Sequence, residues 1–112
     1  MYKLYGIPNC NTVKNARTYL ENKKIPFEFI DFKKYTPTEN DIKQWSKEFG
    51  GLPVNKSGLT YKKHKDVYEK LTETGKVKFI QENTSMIKRP ILTDTTHVLA
   101  FGFSEELYAD VV

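Results

Sequence analysis

The chain has 112 residues, of which 38% are hydrophobic and 29% charged, a composition typical of one globular domain and not of a disordered chain. Its 18 cations and 14 acids give a net charge of +4, but the cations are scattered and no nucleic-acid-binding motif accompanies them, so we predict no direct nucleic acid partner. A single cysteine excludes an internal disulfide and no apolar run approaches the ~20 residues of a membrane span, which predicts a cytoplasmic protein without membrane contact.

The first third of the sequence predicts a β-α-β unit. Residues 2–5 form the expected first strand, which Gly6 ends, and apolar residues at helical spacing then predict a helix over about residues 11–22. The aromatic and β-branched run at residues 26–31 predicts the second strand. Because such crossovers are right-handed, the two strands are expected to be parallel neighbours.

The middle third predicts helices without strands. Thr38 and Asp41 match a capping box that begins one helix, and Gly50 and Gly51 end it. Two further helices are predicted, divided near Gly75. The apolar residues that indicate these helices, with Trp45 and Phe49 expected in the core, are Ile42, Trp45, Phe49, Val67, Leu71, Val77 and Ile80.

The last third predicts an antiparallel hairpin and a final helix. Residues 91–93 and 98–101 form the two expected strands, and the polar residues between them form the turn. Ser104 is the expected N-cap of the last helix, and Phe103 is expected to pack on Tyr108 across that cap.

Together these elements predict an α/β fold in the order β-α-β, helical insert, β-β-α. No repeat, low-complexity tract or linker marks a boundary, so we expect one domain over residues 1–112. Its core is expected in about residues 1–34 and 86–112, and the helical insert in about residues 35–85.

Cys10, the only cysteine, stands between a predicted strand and a predicted helix. Lone cysteines are more often buried and inert, but a helix that begins just after Cys10 directs its unpaired N–H groups and its positive end at the sulfur, which favours the thiolate. Asn11 and Thr12 add candidate hydrogen-bond donors, and Lys14 adds positive potential one turn along the helix. The position therefore favours a nucleophile.

No second cysteine stands near Cys10, because Val13 occupies the place that it would take in a Cys-x-x-Cys pair. Any redox chemistry is therefore monothiol, and a thiol from another molecule must resolve the adduct. Only Arg17 and Arg89 offer a planar, bidentate grip on an oxyanion. Pro90 follows Arg89 directly before the third strand, and an Arg-Pro bond adopts the cis form at modest cost.

The chain resembles, over essentially its full length, the glutaredoxin-coupled arsenate reductase family (ArsC) with its Spx and YffB relatives. The segments that carry the resemblance are residues 4–20, 26–31, 87–91 and 101–106. The resemblance implies a thioredoxin-like fold with a helical insertion, in which Cys10 is the nucleophile and Thr12 and Lys14 lie in its loop. It also implies that Arg89 helps to hold an oxyanion and that Pro90 lies beside the thiol.

Three departures from the arsenate reductase pattern argue against arsenate as the substrate. Arsenate reductases carry a histidine near the start of the thiol loop, where this chain has Gly6, and two further arginines, where it has Asn55 and Gly102. An arsenate dianion requires several fixed cationic donors, which Arg89 alone does not replace. The YffB pattern, associated with small-thiol-dependent reduction, fits better.

We therefore predict a monothiol oxidoreductase in which the Cys10 thiolate attacks a disulfide or an oxyanion. Glutathione or another low-molecular-weight thiol is the expected co-substrate, with no bound cofactor and no metal, since His64 and His97 lack metal-ligand spacing with Cys10. One alternative is an Spx-like transcriptional regulator that binds the C-terminal domain of the RNA polymerase α subunit. The other is a family member that kept the fold without the catalysis.

Overall fold

A computed structural model describes all residues, 1–112, and shows four strands and five α-helices. In chain order these are β1 (Tyr2–Gly6), α1 (Asn11–Asn22), β2 (Phe27–Asp31), α2 (Glu39–Phe49), α3 (Leu59–Glu69), α4 (Glu73–Glu82), a 3₁₀ turn (Thr84–Met86), β3 (Ile91–Thr93), β4 (Val98–Phe101) and α5 (Glu105–Val111). The predicted order, β-α-β, helical insert, β-β-α, is confirmed. None of the helices is both long enough and apolar enough to cross a bilayer.

The strands form one four-stranded sheet in the order β2-β1-β3-β4. β1 and β2 are parallel, as the crossover rule requires, whereas β3 is antiparallel to both β1 and β4. Tyr5 is paired with Ile91, so the start of β3 lies beside the end of β1. This register determines which loops meet at the edge of the sheet where β1 ends.

Contacts between residues divide the chain into two compact units, the first made of residues 1–35 and 89–112 and the second of residues 36–88. In the first unit, Leu4, Leu92 and Ala100 are cross-strand neighbours in one row of the sheet. Residues of α1 and α5 complete this buried cluster, which consists of Leu4, Ala16, Leu20, Leu92, Ala100 and Tyr108. The apolar spacing of α1 thus places one face of that helix in the core, while Cys10 stands at its N-terminus.

The second unit contains α2, α3 and α4. The capping box is present, since Thr38 Oγ1 accepts the Asp41 N–H at 3.0 Å and the Asp41 carboxylate accepts the Thr38 N–H at 3.0 Å. Gly50 ends α2 in the left-handed conformation, with φ 84°. Trp45 is buried as predicted, but Phe49 is 39% exposed, so the prediction of a core position for Phe49 is wrong. It is the last residue of α2, where the chain turns away at Gly50.

The break between α3 and α4 does not fall near Gly75 as predicted. α3 ends at Glu69 and α4 begins at Glu73, so Gly75 lies in the first turn of α4. The Thr72 side chain accepts the Gly75 N–H at 3.1 Å, and this N-cap fixes the start of the helix. A capping threonine was therefore a better signal than the glycine, whose helix propensity is low.

Two buried tyrosines predict a loss of stability at alkaline pH. Burial, with a smaller contribution from the charge of Glu69, raises the pKa of Tyr68 from 10.0 to about 12, and burial also raises the pKa of Tyr108. Above pH 10 the unfolded chain loses these protons while the folded chain keeps them, so the free energy of unfolding falls as the pH rises from 10 towards 12.

We expect Tyr68 alone to contribute about 2 kcal/mol to this loss. Urea unfolding of wild type and Tyr68→Phe at a series of pH values measures it, because all other titratable side chains are common to both proteins. The difference between the two curves should open only above pH 10. Parallel curves throughout would show that the phenol is not protected by the fold.

Candidate functional site

Cys10 is the N-cap residue of α1. Its backbone is extended (φ −87°, ψ 126°), its N–H donates to the Ile7 carbonyl at 3.2 Å, and its carbonyl accepts the Lys14 N–H at 2.9 Å. The first turn of α1 therefore directs its unpaired N–H groups towards the cysteine, and that turn contains no acidic residue. Cys10 is a partly exposed residue whose side chain makes no capping hydrogen bond, so its thiol is free.

The three residues predicted to assist Cys10 are all exposed. Asn11, Thr12 and Lys14 lie in the first turn of α1 and none forms a hydrogen bond with the sulfur. Val13, in contrast, points into the core and has no exposed surface. Asn11, Thr12 and Lys14 are thus available to a molecule that approaches the thiol, and Lys14 adds a positive charge there.

The register of the sheet brings Arg89 and Pro90 to the edge from which the thiol loop leaves. Pro90 directly precedes Ile91, the partner of Tyr5, so it lies beside the start of the loop that leads to Cys10. The Arg89-Pro90 peptide bond is cis, and the Pro90 carbonyl accepts the Gly102 N–H at 2.8 Å. Arg89 is partly exposed and forms no ion pair, which leaves its guanidinium available to an anion.

Gly6 and Val13 form one packing unit. A Cβ atom added to Gly6 would lie 2.8 Å from Val13 Cγ2 and 3.1 Å from Val13 Cγ1, closer than side chains tolerate. Val13 is fully buried and its branched side chain is stiff, so a histidine at position 6 requires Val13 to move. The packing of Val13 therefore leaves no room for the arsenate reductase histidine at position 6.

Gly102 and Asn55 are the other two departures from the arsenate reductase pattern, and both form hydrogen bonds within the fold. Gly102 has φ 78°, a conformation that disfavours any residue with a side chain, and donates to Pro90. In the second unit, the Asn55 N–H donates to the Met86 carbonyl at 2.8 Å, and its side-chain oxygen accepts the Ser57 hydroxyl at 2.8 Å. Neither position supplies the cation that a fixed oxyanion needs.

An open cleft in the first unit was not predicted from the sequence. It has a volume of about 650 Å³ and is lined by residues that include Pro8 of the thiol loop, Arg17 of α1 and Phe29 of β2. The Arg17 guanidinium lies over the Phe29 ring, 4.3 Å from its centre. No local pattern in the sequence indicates this cleft, because it depends on a contact between α1 and β2.

A second open cleft lies in the second unit, with a volume of about 610 Å³. Its lining includes Phe49, Gly50 and Gly51 at the end of α2, together with Lys76 and Lys88. A Cβ atom on either glycine would meet no other atom, so the two glycines serve the backbone turn and leave the surface open.

The sheet order, the helix that begins at the thiol and the proline before the hairpin together define a thioredoxin-like fold with a helical insertion. The model of the ArsC family matches residues 5–111, and the chain belongs to the ArsC family. Its relatives place it on the Spx and YffB branch of that family.

Three similar proteins support this assignment. A solved structure described as a YFFB protein superposes with a TM-score of 0.88 at 32% identity, covering 99% of this chain and 98% of the other. An uncharacterised protein of Haemophilus influenzae is 33% identical over 110 residues, 96% of each chain. The global transcriptional regulator Spx 1 of Lactococcus lactis is 28% identical over 109 residues, 95% of this chain and 84% of the regulator.

Proposed function

We propose that the protein is a monothiol oxidoreductase whose reacting atom is Cys10 Sγ. The observation that carries this proposal is the N-cap position of a partly exposed cysteine that makes no capping hydrogen bond. Cysteine is not among the preferred N-cap residues, whereas serine, threonine, aspartate and asparagine accept a hydrogen bond from the first turn. A cysteine here gives up helix stability, which suits a residue retained for its reactivity.

The chemistry requires two thiol-disulfide exchanges. The Cys10 thiolate attacks one sulfur of a disulfide, a new S–S bond forms to Cys10, and the other sulfur leaves with the bonding electron pair and takes a proton from solvent. A low-molecular-weight thiolate then attacks the mixed disulfide, forms a disulfide with the departing group and releases Cys10 as a thiolate. The external thiol is the reductant, because the chain has no second cysteine.

Arg89 is the proposed binding group for an anionic part of the substrate close to the reacting sulfur. The test substrate is a mixed disulfide between glutathione and a test protein. We expect Arg89→Ala to lower kcat/KM for its reduction by about tenfold or more, because a charge-assisted hydrogen bond contributes ~1.5–3 kcal/mol. Arg89→Lys should retain part of this rate, since it keeps the charge but loses the planar fork. The assay follows release of the test protein thiol with glutathione as the only reductant.

The matched control for Arg89→Ala is Lys43→Ala, which removes one exposed positive charge from α2 in the second unit. An equal loss of rate in both variants would assign the effect to net charge and remove Arg89 from the site. We also expect no reduction of arsenate by the wild type under the same conditions, because Gly6, Asn55 and Gly102 provide no cation.

A second candidate function is transcriptional regulation through a protein contact. It is favoured by the similarity to Spx 1 over 95% of this chain. If the protein acts in this way, the wild type and Cys10→Ser bind the C-terminal domain of the RNA polymerase α subunit equally well. No binding of either protein at micromolar concentration, measured by titration calorimetry, would eliminate this candidate.

A further inference from the structure

Arg17 is one of two arginines in the chain, and its side chain is not simply surrounded by solvent. Its guanidinium is stacked over the Phe29 ring at 4.3 Å, and its side chain is partly buried between α1 and β2. Arg17 forms no ion pair and no hydrogen bond with another side chain. The stacking restricts the guanidinium while its N–H groups remain unpaired, which lowers the entropy cost of binding an anion.

The cleft beside Arg17 reaches the thiol loop. Pro8, two residues before Cys10, and Arg17 both line the same open volume of about 650 Å³. The lining also contains two lysines, Lys3 and Lys34, and two acidic residues, Glu28 and Asp31. The Asp31 carboxylate accepts the Lys33 N–H at 2.8 Å, so part of its charge is already engaged. The lining thus carries three cations and two acids, and the cleft reaches the loop that leads to Cys10.

The spacing along α1 sets the size of the molecule that could use both groups. Cys10 and Arg17 are seven residues apart, which is about 10 Å along a helix at ~1.5 Å per residue. Helical side chains lean towards the N-terminus, so the guanidinium reaches back towards Cys10. An extended peptide covers ~3.3–3.6 Å per residue, so the terminal carboxylates of a tripeptide lie within this distance of a sulfur on its central residue.

We propose that Arg17 is a specificity-determining residue that binds a carboxylate of a tripeptide-sized thiol or disulfide while its sulfur reacts at Cys10. This inference rests on the proposed function, since it names the substrate class of the same site. The substrate class is a short peptidic disulfide with a carboxylate within about 10 Å of the sulfur that reacts. Small uncharged disulfides also react at Cys10 but gain nothing from Arg17.

The test compares two probes with the full-length protein. One is glutathione disulfide, a tripeptide disulfide with carboxylates, and the other is hydroxyethyl disulfide, which is small and uncharged. Mass spectrometry of the quenched protein gives the rate constant for formation of the Cys10 adduct with each probe. The ratio of the two rate constants cancels errors in protein concentration. Circular dichroism shows that each variant is folded, because an unfolded chain also exposes Cys10 and reacts with both probes at a ratio of its own.

We divide the rate constant for glutathione disulfide by the rate constant for hydroxyethyl disulfide. We expect Arg17→Ala to lower this ratio by about tenfold, because a charge-assisted hydrogen bond is lost. Arg17→Lys should give an intermediate ratio. Lys23→Ala is the matched control, because Lys23 caps the other end of α1 over the Tyr19 ring and does not line the cleft; it should keep the wild-type ratio.

A wild-type ratio in Arg17→Ala would overturn the inference and leave the proposed function intact. So would an equal fall of the ratio in Lys23→Ala, which would make the effect one of net charge. If the wild type forms no Cys10 adduct with either probe, the proposed function and the role of Arg17 fail together. The test therefore distinguishes a failure of the role of Arg17 from a failure of Cys10 as the reacting residue.

Discussion

Replacement of Cys10 by serine abolishes the disulfide reduction that we assign to this protein, with a loss of about 10³-fold or more, to the uncatalysed background. A serine hydroxyl is not ionised near neutral pH and does not form a mixed disulfide, so neither exchange step remains. The measurement is the rate of glutathione-dependent disulfide reduction, with wild type and variant at equal concentration.

The same substitution should leave the fold intact or strengthen it. A serine hydroxyl is a preferred N-cap and can accept the hydrogen bond from the first turn of α1 that Cys10 does not form. We expect the free energy of unfolding of Cys10→Ser to equal or exceed that of wild type by up to ~1 kcal/mol. A variant that loses activity because it is unfolded would contradict this account, as would one that keeps its activity.

Substitution of Gly6 by alanine has the second largest expected effect, a loss of about 2 kcal/mol in the free energy of unfolding. The new Cβ would lie 2.8 Å from Val13 Cγ2 in a fully buried contact. Gly6→His, which restores the residue of the arsenate reductases, should cost more, because its ring must displace Val13. Urea unfolding of the variants measures both costs.

A double-mutant cycle with Val13→Ala identifies the cause. Val13→Ala removes the atoms that the new Cβ meets, so the cost of Gly6→Ala should be at least ~1 kcal/mol smaller in the Val13→Ala background than in wild type. Additive costs would show that Gly6 is required for a backbone reason and not for its contact with Val13.

The sequence was sufficient to predict the elements whose signals are local. The bounds of α1, the capping box at Thr38 and the cap at Ser104 were correct, because periodicity and capping chemistry act over a few residues. The contact between Phe103 and Tyr108 was also correct, with ring centres 4.8 Å apart. These features do not depend on how distant parts of the chain meet.

Features that depend on tertiary packing were not predicted. Phe49 is apolar and correctly spaced for the core face of α2, but its exposure is decided by the path of the chain after Gly50. The buried residues of α3 are Tyr61 and Tyr68, whereas Val67 is 58% exposed. Periodicity identifies a helix, but it does not say which neighbours will cover each side of it.

The positions of Cys10 and Arg89 in the fold could be predicted from the sequence, but the cleft beside Arg17 could not. The place of Cys10 between β1 and α1 and the place of Arg89 before β3 followed from the order of elements, and the register between Tyr5 and Ile91 brings their loops to one edge of the sheet. The cleft beside Arg17 depends on the stacking of that side chain on Phe29 of β2, the next element, which no local pattern contains.

In the proposed reaction, Cys10 Sγ is the reacting atom and an external thiol resolves its adduct. Intact mass spectrometry after incubation with glutathione disulfide tests it most directly. We expect a single glutathionyl group on the wild type, located on Cys10, that reduced glutathione removes, and no adduct on Cys10→Ser. A wild-type protein that forms no adduct, or forms one that reduced glutathione does not remove, would contradict it.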